Sequence, residues 1–292
     1  MAVVTPLPDP EKKLAPGLYI VSTPIGNSRD ITLRALDVLS SVTAIAAEDT
    51  RVARRLLDIH GIKPPKLIRH DEHGAERSRP EIMARLQAGE AIALATDAGT
   101  PLVSDPGYRL VVEALAASHK VIPLPGPSAA LAALTLAGLP SDKFLFAGFL
   151  PSKTGQRLRA LNELKDVKAT LIFFEGVSRL APALSDMAKV LGNRQACVAR
   201  ELTKLYEESR RGSLKELSQH YDHAGPPKGE VTIVVGPPIE QPLSVEDIDN
   251  RLLQLLPEMS VKDAAKIVSE ELGLPRSDAY ARALNLKDNS PI

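Results

Sequence analysis

Three loops and three charged clusters hold the residue types from which chemistry can be built. The loop at 22–30 reads S-T-P-I-G-N-S-R-D, that at 97–107 reads D-A-G-T-P-L-V-S-D-P-G, and that at 125–130 reads P-G-P-S-A-A. Small residues at this density let backbone N–H and C=O groups approach a ligand closely. The first cluster, Glu48-Asp49-Thr50-Arg51, ends an apolar run and opens a helical one. Its acids suit the positive end of a helix dipole as well as they suit catalysis. The second, Arg200-Glu201-Leu202-Thr203-Lys204 with Glu207 and Glu208 beyond, mixes acid and base where a strand ends. Such a mixture is costly to bury, which points to a working site. The third, Lys228-Gly229-Glu230, reads as an ordinary turn before the last apolar strand.

Other chemistries lack their signatures. No G-x-G-x-x-G follows the first strand and no G-x-x-x-x-G-K-[ST] occurs, which disfavours the common dinucleotide and phosphate-loop sites. There is no G-x-S-x-G elbow for a hydrolase. His70 and His73, with Asp71 and Glu72 between them, have no second ligand cluster at a metal spacing, so they read as a solvated loop and no metal is expected.

The elements that must position these loops follow from periodicity. Short strand-like runs at 18–21, 42–47, 67–70, 91–95 and 121–124, that at 91–95 apolar throughout, alternate with helical patterns. Asp30 is placed to cap the first helix, and Gly61 to end the second. Strands apolar throughout imply a sheet covered on both faces, hence mostly parallel α/β, with ligands at the carboxyl ends of the strands. A second set begins with a helix at 128–137 and continues with strands at 144–149, 170–174, 196–199 and 231–235. The stretch 205–211 is a candidate antiparallel strand. The expected organisation is a loose tail over 1–16, an α/β domain over 17–125, a second over 126–240, and a helical domain over 241–292 whose last two helices have helix-turn-helix proportions.

Composition narrows the class. Lys and Arg number 36 and Asp and Glu also 36, which argues against a uniformly cationic nucleic-acid wrapper. The single cysteine, Cys197, excludes an intrachain disulfide and a cysteine zinc cluster. No apolar run approaches a membrane span, and the proline-containing start has no apolar leader, so the expectation is a cytoplasmic protein.

The strings S-T-P-I-G-N-x-x-D-I-T-L-R-A-L (22–36), E-D-T-R (48–51), D-A-G-T-P-L-V-S-D-P-G (97–107), P-G-P-S-A (125–129) and R-E-L-T-K (200–204), in this order, resemble the bacterial 16S ribosomal RNA cytidine-2′-O-methyltransferases of the tetrapyrrole methylase superfamily. The resemblance spans about residues 17–240, and the C-terminal helices are similar to the family's appended helical domain. It implies two α/β domains with S-adenosylmethionine in the cleft between them, a homodimer, and small-subunit (16S) ribosomal RNA as the partner. Superfamily cofactor positions fall on Pro24, on Ala98, Gly99 and Thr100, on Val103, on Ser128 and Ala129, and on Glu175. The chain departs from its relatives at H-D-E-H-G (70–74), where they tend to have His-Asn, so His73 receives no role.

In such an enzyme a ribose 2′-hydroxyl attacks the sulfonium methyl in line, and proximity supplies much of the acceleration. A neutral hydroxyl needs a proton acceptor, for which Glu48, Asp49, Glu201 and Lys204 are the candidates. A buried Lys204 beside Arg200 would have a lowered pKa and act as base. Asp49 or Glu201 would equally orient the ribose while Arg51 and Arg200 hold phosphates. On this expectation Lys204→Ala and Asp49→Ala each reduce methyl transfer and spare cofactor affinity. The alternatives are a tetrapyrrole C-methyltransferase and a non-catalytic RNA-binding or ribosome-assembly module. Charge by segment speaks to them. Residues 50–85 hold nine Lys/Arg against five Asp/Glu, and 151–215 hold thirteen against seven, so each α/β half has a cationic stretch to face an anion. Residues 243–292 hold six against nine, and the helices there are expected to pack on protein rather than to bind nucleic acid.

Overall fold

The computed structural model describes residues 14–72, 74–238 and 245–288. Most of the expected tail, His73, and 239–244 with the expected boundary at 240 lie outside them. The chain divides into a unit through Pro238 and a second unit from Ile239.

The first half of the larger unit runs β1 (Gly17–Val21), α1 (Leu33–Ser41), β2 (Ala44–Ala47), α2 (Thr50–Ile59), β3 (Lys66–Arg69), α3 (Ala75–Gln87), β4 (Ala91–Ala95), α4 (Tyr108–Ala116) and β5 (Val121–Leu124). Its five strands are all parallel, in the order β3-β2-β4-β1-β5. Alternation explains the all-apolar strands, because successive side chains enter opposite cores. Tyr19, Val21, Ile45, Ala91, Ala93 and Ala95 meet α1 and α2 on one face. Leu18, Ile20, Ala44, Ile92 and Leu94 meet α3 and α4 on the other. The loop after β1 therefore leads to one face and the loop after neighbouring β4 to the other. Adjacent strands that diverge in this way open a crevice at their carboxyl ends, where α/β sheets bind ligands.

The second half runs α5 (Ala129–Ala137), β6 (Phe144–Phe149), α6 (Thr154–Leu164), β7 (Thr170–Gly176), α7 (Leu180–Leu191), β8 (Gln195–Arg200), β9 (Glu208–Ser213), α8 (Leu214–Ala224) and β10 (Glu230–Val235). The strand order is β6-β7-β10-β8-β9. Only β6 and β7 are parallel; β10 runs antiparallel to β7 and β8, and β9 antiparallel to β8. The mostly parallel expectation thus fails for this sheet. A strand buried on both faces reads alike in either direction, so direction is set by the connections rather than by the strand's own residues. One face packs on α6, α7 and α8. The other takes the alanine-rich α5 together with Ile25 from the first half and Leu202.

Two caps differ from their reading in the sequence or refine it. Thr32, not Asp30, caps α1 by accepting from the Ala35 N–H at 3.1 Å, and Asp30 sits in a short turn before it. Ser128 caps α5 through the Leu131 N–H. The smaller unit is three helices, α9 (Val245–Leu255), α10 (Val261–Leu272) and α11 (Arg276–Asp288), closed on Leu252, Ala264, Ala265, Val268, Ala279 and Ala283.

Candidate active site

The three small-residue loops are tied into one structure. Thr23 and Gly99 exchange backbone hydrogen bonds of 2.9 and 3.0 Å. Ser22 Oγ donates to Thr100 Oγ1 (3.3 Å) and to the Leu124 carbonyl (3.1 Å), and Thr100 Oγ1 donates to the Pro127 carbonyl (3.1 Å). Gly126 is required there, since a Cβ would stand 2.7 Å from Ser22 Cβ. Non-glycine residues at positive φ gather at the same place. Leu102 and Ser104 are in the second loop, and Glu201 and Thr203 in the R-E-L-T-K loop. Backbone strain of this kind costs of order 1–3 kcal/mol per residue and persists only where surrounding structure imposes it.

A cleft of about 350 Å3 lies between the halves. It is lined by Ala98, Gly99, Thr100, Val103, Ser128, Ala129 and Glu175, seven of the eight residues expected to hold a cofactor. Pro24, the eighth, lines a neighbouring cavity. Phe149 and Phe174 form an apolar wall, packed edge to face at 5.6 Å. Three carboxylates, Asp105, Glu175 and Glu230, line the cleft, and among the described residues no lysine or arginine does. Glu175 is 3% exposed; one oxygen pairs with Arg179 at 2.6 Å, and the other is buried without a partner. Burial, opposed by the Thr96 hydroxyl and reinforced by the charges of Glu48 and Asp97, raises the Asp105 pKa to about 6. Neither Asp105 nor Glu230 stood out in the sequence. Asp105 was hidden inside a loop read for its glycines, and Glu230 inside an apparent turn.

The expected catalytic residues separate into three kinds. Asp49 caps α2 through the Arg51 N–H (2.8 Å) and chelates the Arg51 guanidinium, whose hydrogen bonds hold its pKa down to about 2. That leaves it little basicity. Glu48 accepts from Thr96 Oγ1 at 3.1 Å, beside Asp97 and Asp105. Lys204 donates to Glu201 at 2.8 Å and to Glu230 at 3.0 Å. Burial alone would push its ammonium down, but these two acceptors outweigh it and hold the pKa above the ordinary lysine value. The lowered pKa expected of a lysine base is therefore absent. Burial here comes with two carboxylates, which the sequence places three and 26 residues away.

Glu201 itself is an anchor. Hydrogen bonding from Lys204 keeps it ionised, and Oε1 accepts the Glu230 N–H at 3.1 Å. Arg51 is largely exposed although paired with Asp49. Arg200 is committed to Glu208 at 3.0 Å and to the Lys228 carbonyl at 3.0 Å. His70 is turned inward, its Nδ1 2.8 Å from Ser78 Oγ, so it is not the solvated loop residue expected.

Residues 17–218 match the family model of tetrapyrrole (corrin/porphyrin) methylases, and 242–287 that of the RsmI C-terminal HTH domain. The chain belongs to the tetrapyrrole methylases. Within them it belongs with proteins named ribosomal RNA small subunit methyltransferase I. It is 52% identical to the one from Mesorhizobium japonicum over 96% of both chains. It is 43% identical to the one from Escherichia coli O157:H7, with 91% of this chain and 94% of that one covered. Among solved tetrapyrrole methylases, a cobalt precorrin-4 methyltransferase shares the fold with a TM-score of 0.57 at 19% identity, over 75% of this chain and 94% of that one. A Thermus thermophilus uroporphyrin-III C-methyltransferase complexed with S-adenosyl homocysteine does so with a TM-score of 0.54 at 18% identity, over 75% and 97%.

Proposed function

We propose that this protein is an S-adenosylmethionine-dependent methyltransferase that modifies the 2′-hydroxyl of a cytidine in small-subunit (16S) ribosomal RNA. The observation that carries the reading is the 52% identity, end to end, with a protein named for that RNA. It favours this substrate over a tetrapyrrole, since the tetrapyrrole enzymes share the fold at only 18–21% identity.

The cleft suits the cofactor. Asp105, Glu175 and Glu230 line it. Although Arg179 and Lys204 pair with the last two from outside the lining, the buried Glu175 Oε2 is left for a ligand's donor, which favours a ligand that carries positive charge. Bound there, S-adenosylmethionine supplies an electrophilic methyl on a positively charged sulfur. Glu175 and Glu230 would hold its positive groups, the Phe149–Phe174 wall would take its apolar surface, and the 98–100 backbone its polar edge. Asp105, with a pKa near neutrality, suits the role of acceptor for the hydroxyl proton. Lys204 keeps Glu201 and Glu230 in place as a cation and does not act as base.

The proposal includes a homodimer in the cytoplasm. Leu205 is 87% exposed and Tyr206 69%, side by side after the R-E-L-T-K loop, an apolar surface suited to a second copy. Among the described residues no helix is long and apolar enough to cross a membrane. The decisive experiment supplies labelled S-adenosylmethionine and small ribosomal subunits from cells lacking the enzyme, then maps the label. Methyl on a cytidine ribose is the expected result. Label on a base, or none in RNA, overturns the reading.

A further inference from the structure

Beside the cofactor cleft lies a second cavity, of about 430 Å3. One wall is the chain from Thr23 to Ser28, the other is α2, and Thr96 and Asp97 close it toward the cleft. The two spaces share loops: Pro24 and Asp97 line this cavity, whereas their neighbours Ile25 and Ala98 line the cleft. The Thr23–Gly99 pairing forms the partition, and both spaces lie at the carboxyl ends of β1 and β4. The α2 wall is apolar. Val52 is 41% exposed and Ile59 55%, and both line this cavity. Arg55 lines the same space and has no ion pair among the described residues. Asp97 is held by the Asp49 N–H, which donates to its Oδ1 at 3.0 Å.

We propose that this cavity is the subsite for the base of the acceptor nucleotide, a single cytosine withdrawn from its stack, with Asp97 and Arg55 reading its edge. The proposal rests on the RNA ribose reading above. Its volume falls within the range of small-molecule pockets, about 300–1,000 Å3. An enzyme that draws a nucleotide out of its stack offsets the unstacking by stacking and hydrogen-bonding the displaced base in a pocket. The apolar α2 wall supplies contact for a base face. A carboxylate fixed by a backbone amide accepts from the exocyclic amino group of cytosine and repels the carbonyl that uracil has there. Arg55 donates to the acceptors on the same edge, and exposed Arg51 and Arg54 stand on the same helix to meet flanking phosphates. A ribose at the rim over the Thr23–Gly99 partition then has its base on one side and the methyl donor on the other.

The test uses full-length Val52→Trp and Arg55→Ala, both changed at exposed positions, with unmodified small ribosomal subunits as acceptor. Cofactor affinity is measured in parallel by calorimetry. Filling the cavity with Val52→Trp should lower kcat/KM for the subunits by about tenfold or more, and Arg55→Ala should raise KM, while the cofactor Kd stays within about twofold. Full turnover by Val52→Trp, or equal loss of cofactor binding, overturns the subsite. Particles with uridine in place of the acceptor cytidine should be poorer substrates for wild type by about tenfold, and Asp97→Asn should narrow that gap. An unchanged gap in Asp97→Asn overturns the role of Asp97. A wild-type protein that methylates no RNA overturns the proposed function itself, and the subsite with it.

Discussion

Lys204 lies directly against Gly26. A Cβ on Gly26 would stand 2.5 Å from Lys204 Cγ and 2.8 Å from Thr203 Oγ1, and the Asn27 N–H donates to that same Thr203 oxygen at 3.0 Å. The two residues join the halves of the molecule at the mouth of the cleft. The stem of the lysine packs on the bare glycine backbone while its ammonium holds Glu201 and Glu230.

Gly26→Ala is accordingly expected to separate the 22–28 loop from the 200–204 loop. Forcing a methyl group into such a contact costs about 1–3 kcal/mol. Thermal unfolding should show the loss, and calorimetry a weaker cofactor complex. An unshifted Tm would mean that the loops yield freely.

Lys204 as an ionic brace predicts tolerance of arginine. Lys204→Arg keeps the charge and loses any capacity to act as a base, because the guanidinium does not deprotonate. It should keep kcat within about threefold, with an unchanged pH profile. A loss of a hundredfold or more would restore the lysine-base mechanism.

Asp105 sets an acid limb. With its pKa at about 6 in the folded protein, it is charged above that pH and neutral below. Methyl transfer should fall as pH drops through about 6, since the protonated group neither attracts a cation nor accepts a proton. Asp105→Asn should flatten the limb and run at pH 8 no faster than wild type at pH 5. Stability has the opposite sign. The folded pKa lies above the unfolded one, so the ionised group opposes folding above about 6 and has no effect below about 4. Asp105→Asn should therefore raise the unfolding free energy at pH 8 by about 1 kcal/mol, read as a higher Tm, and leave it unchanged at pH 4.

Glu175→Gln tests the cationic ligand. Glutamine preserves volume and can still accept the Gly176 N–H that Glu175 Oε1 accepts at 2.8 Å, but it removes the charge facing the cleft. Cofactor affinity should fall by about tenfold, equivalent to 1.4 kcal/mol. Unchanged affinity would assign Glu175 to Arg179 alone.

Much of this was legible one residue at a time. The apolar runs of β1, β2 and β4 announce strands buried on both faces, and the C-terminal stretch reads as helical, as α9, α10 and α11 are. The 22–30, 97–107 and 125–130 loops advertise themselves by glycine and proline. Local pattern carries such features because each depends on a few adjacent residues. The antiparallel course of β10 was not legible, since it depends on where distant chain segments run, and the choice of Thr32 over Asp30 as the cap was not legible because two good capping residues stand two positions apart.

The sequence alone determined the α/β class, the family, and the loops from which a site would be built. Tertiary structure decided what individual side chains do there. Lys204 beside Arg200 was one candidate base, yet the fold places Glu201 and Glu230 against it, and their hydrogen bonds raise its pKa rather than lower it. Asp105 drew no attention within the 97–107 loop, yet the fold buries it near Glu48 and Asp97 and raises its pKa to about 6. Charge state is a property of surroundings, of desolvation and neighbouring charges within a few ångströms, and those surroundings are assembled from residues scattered along the chain.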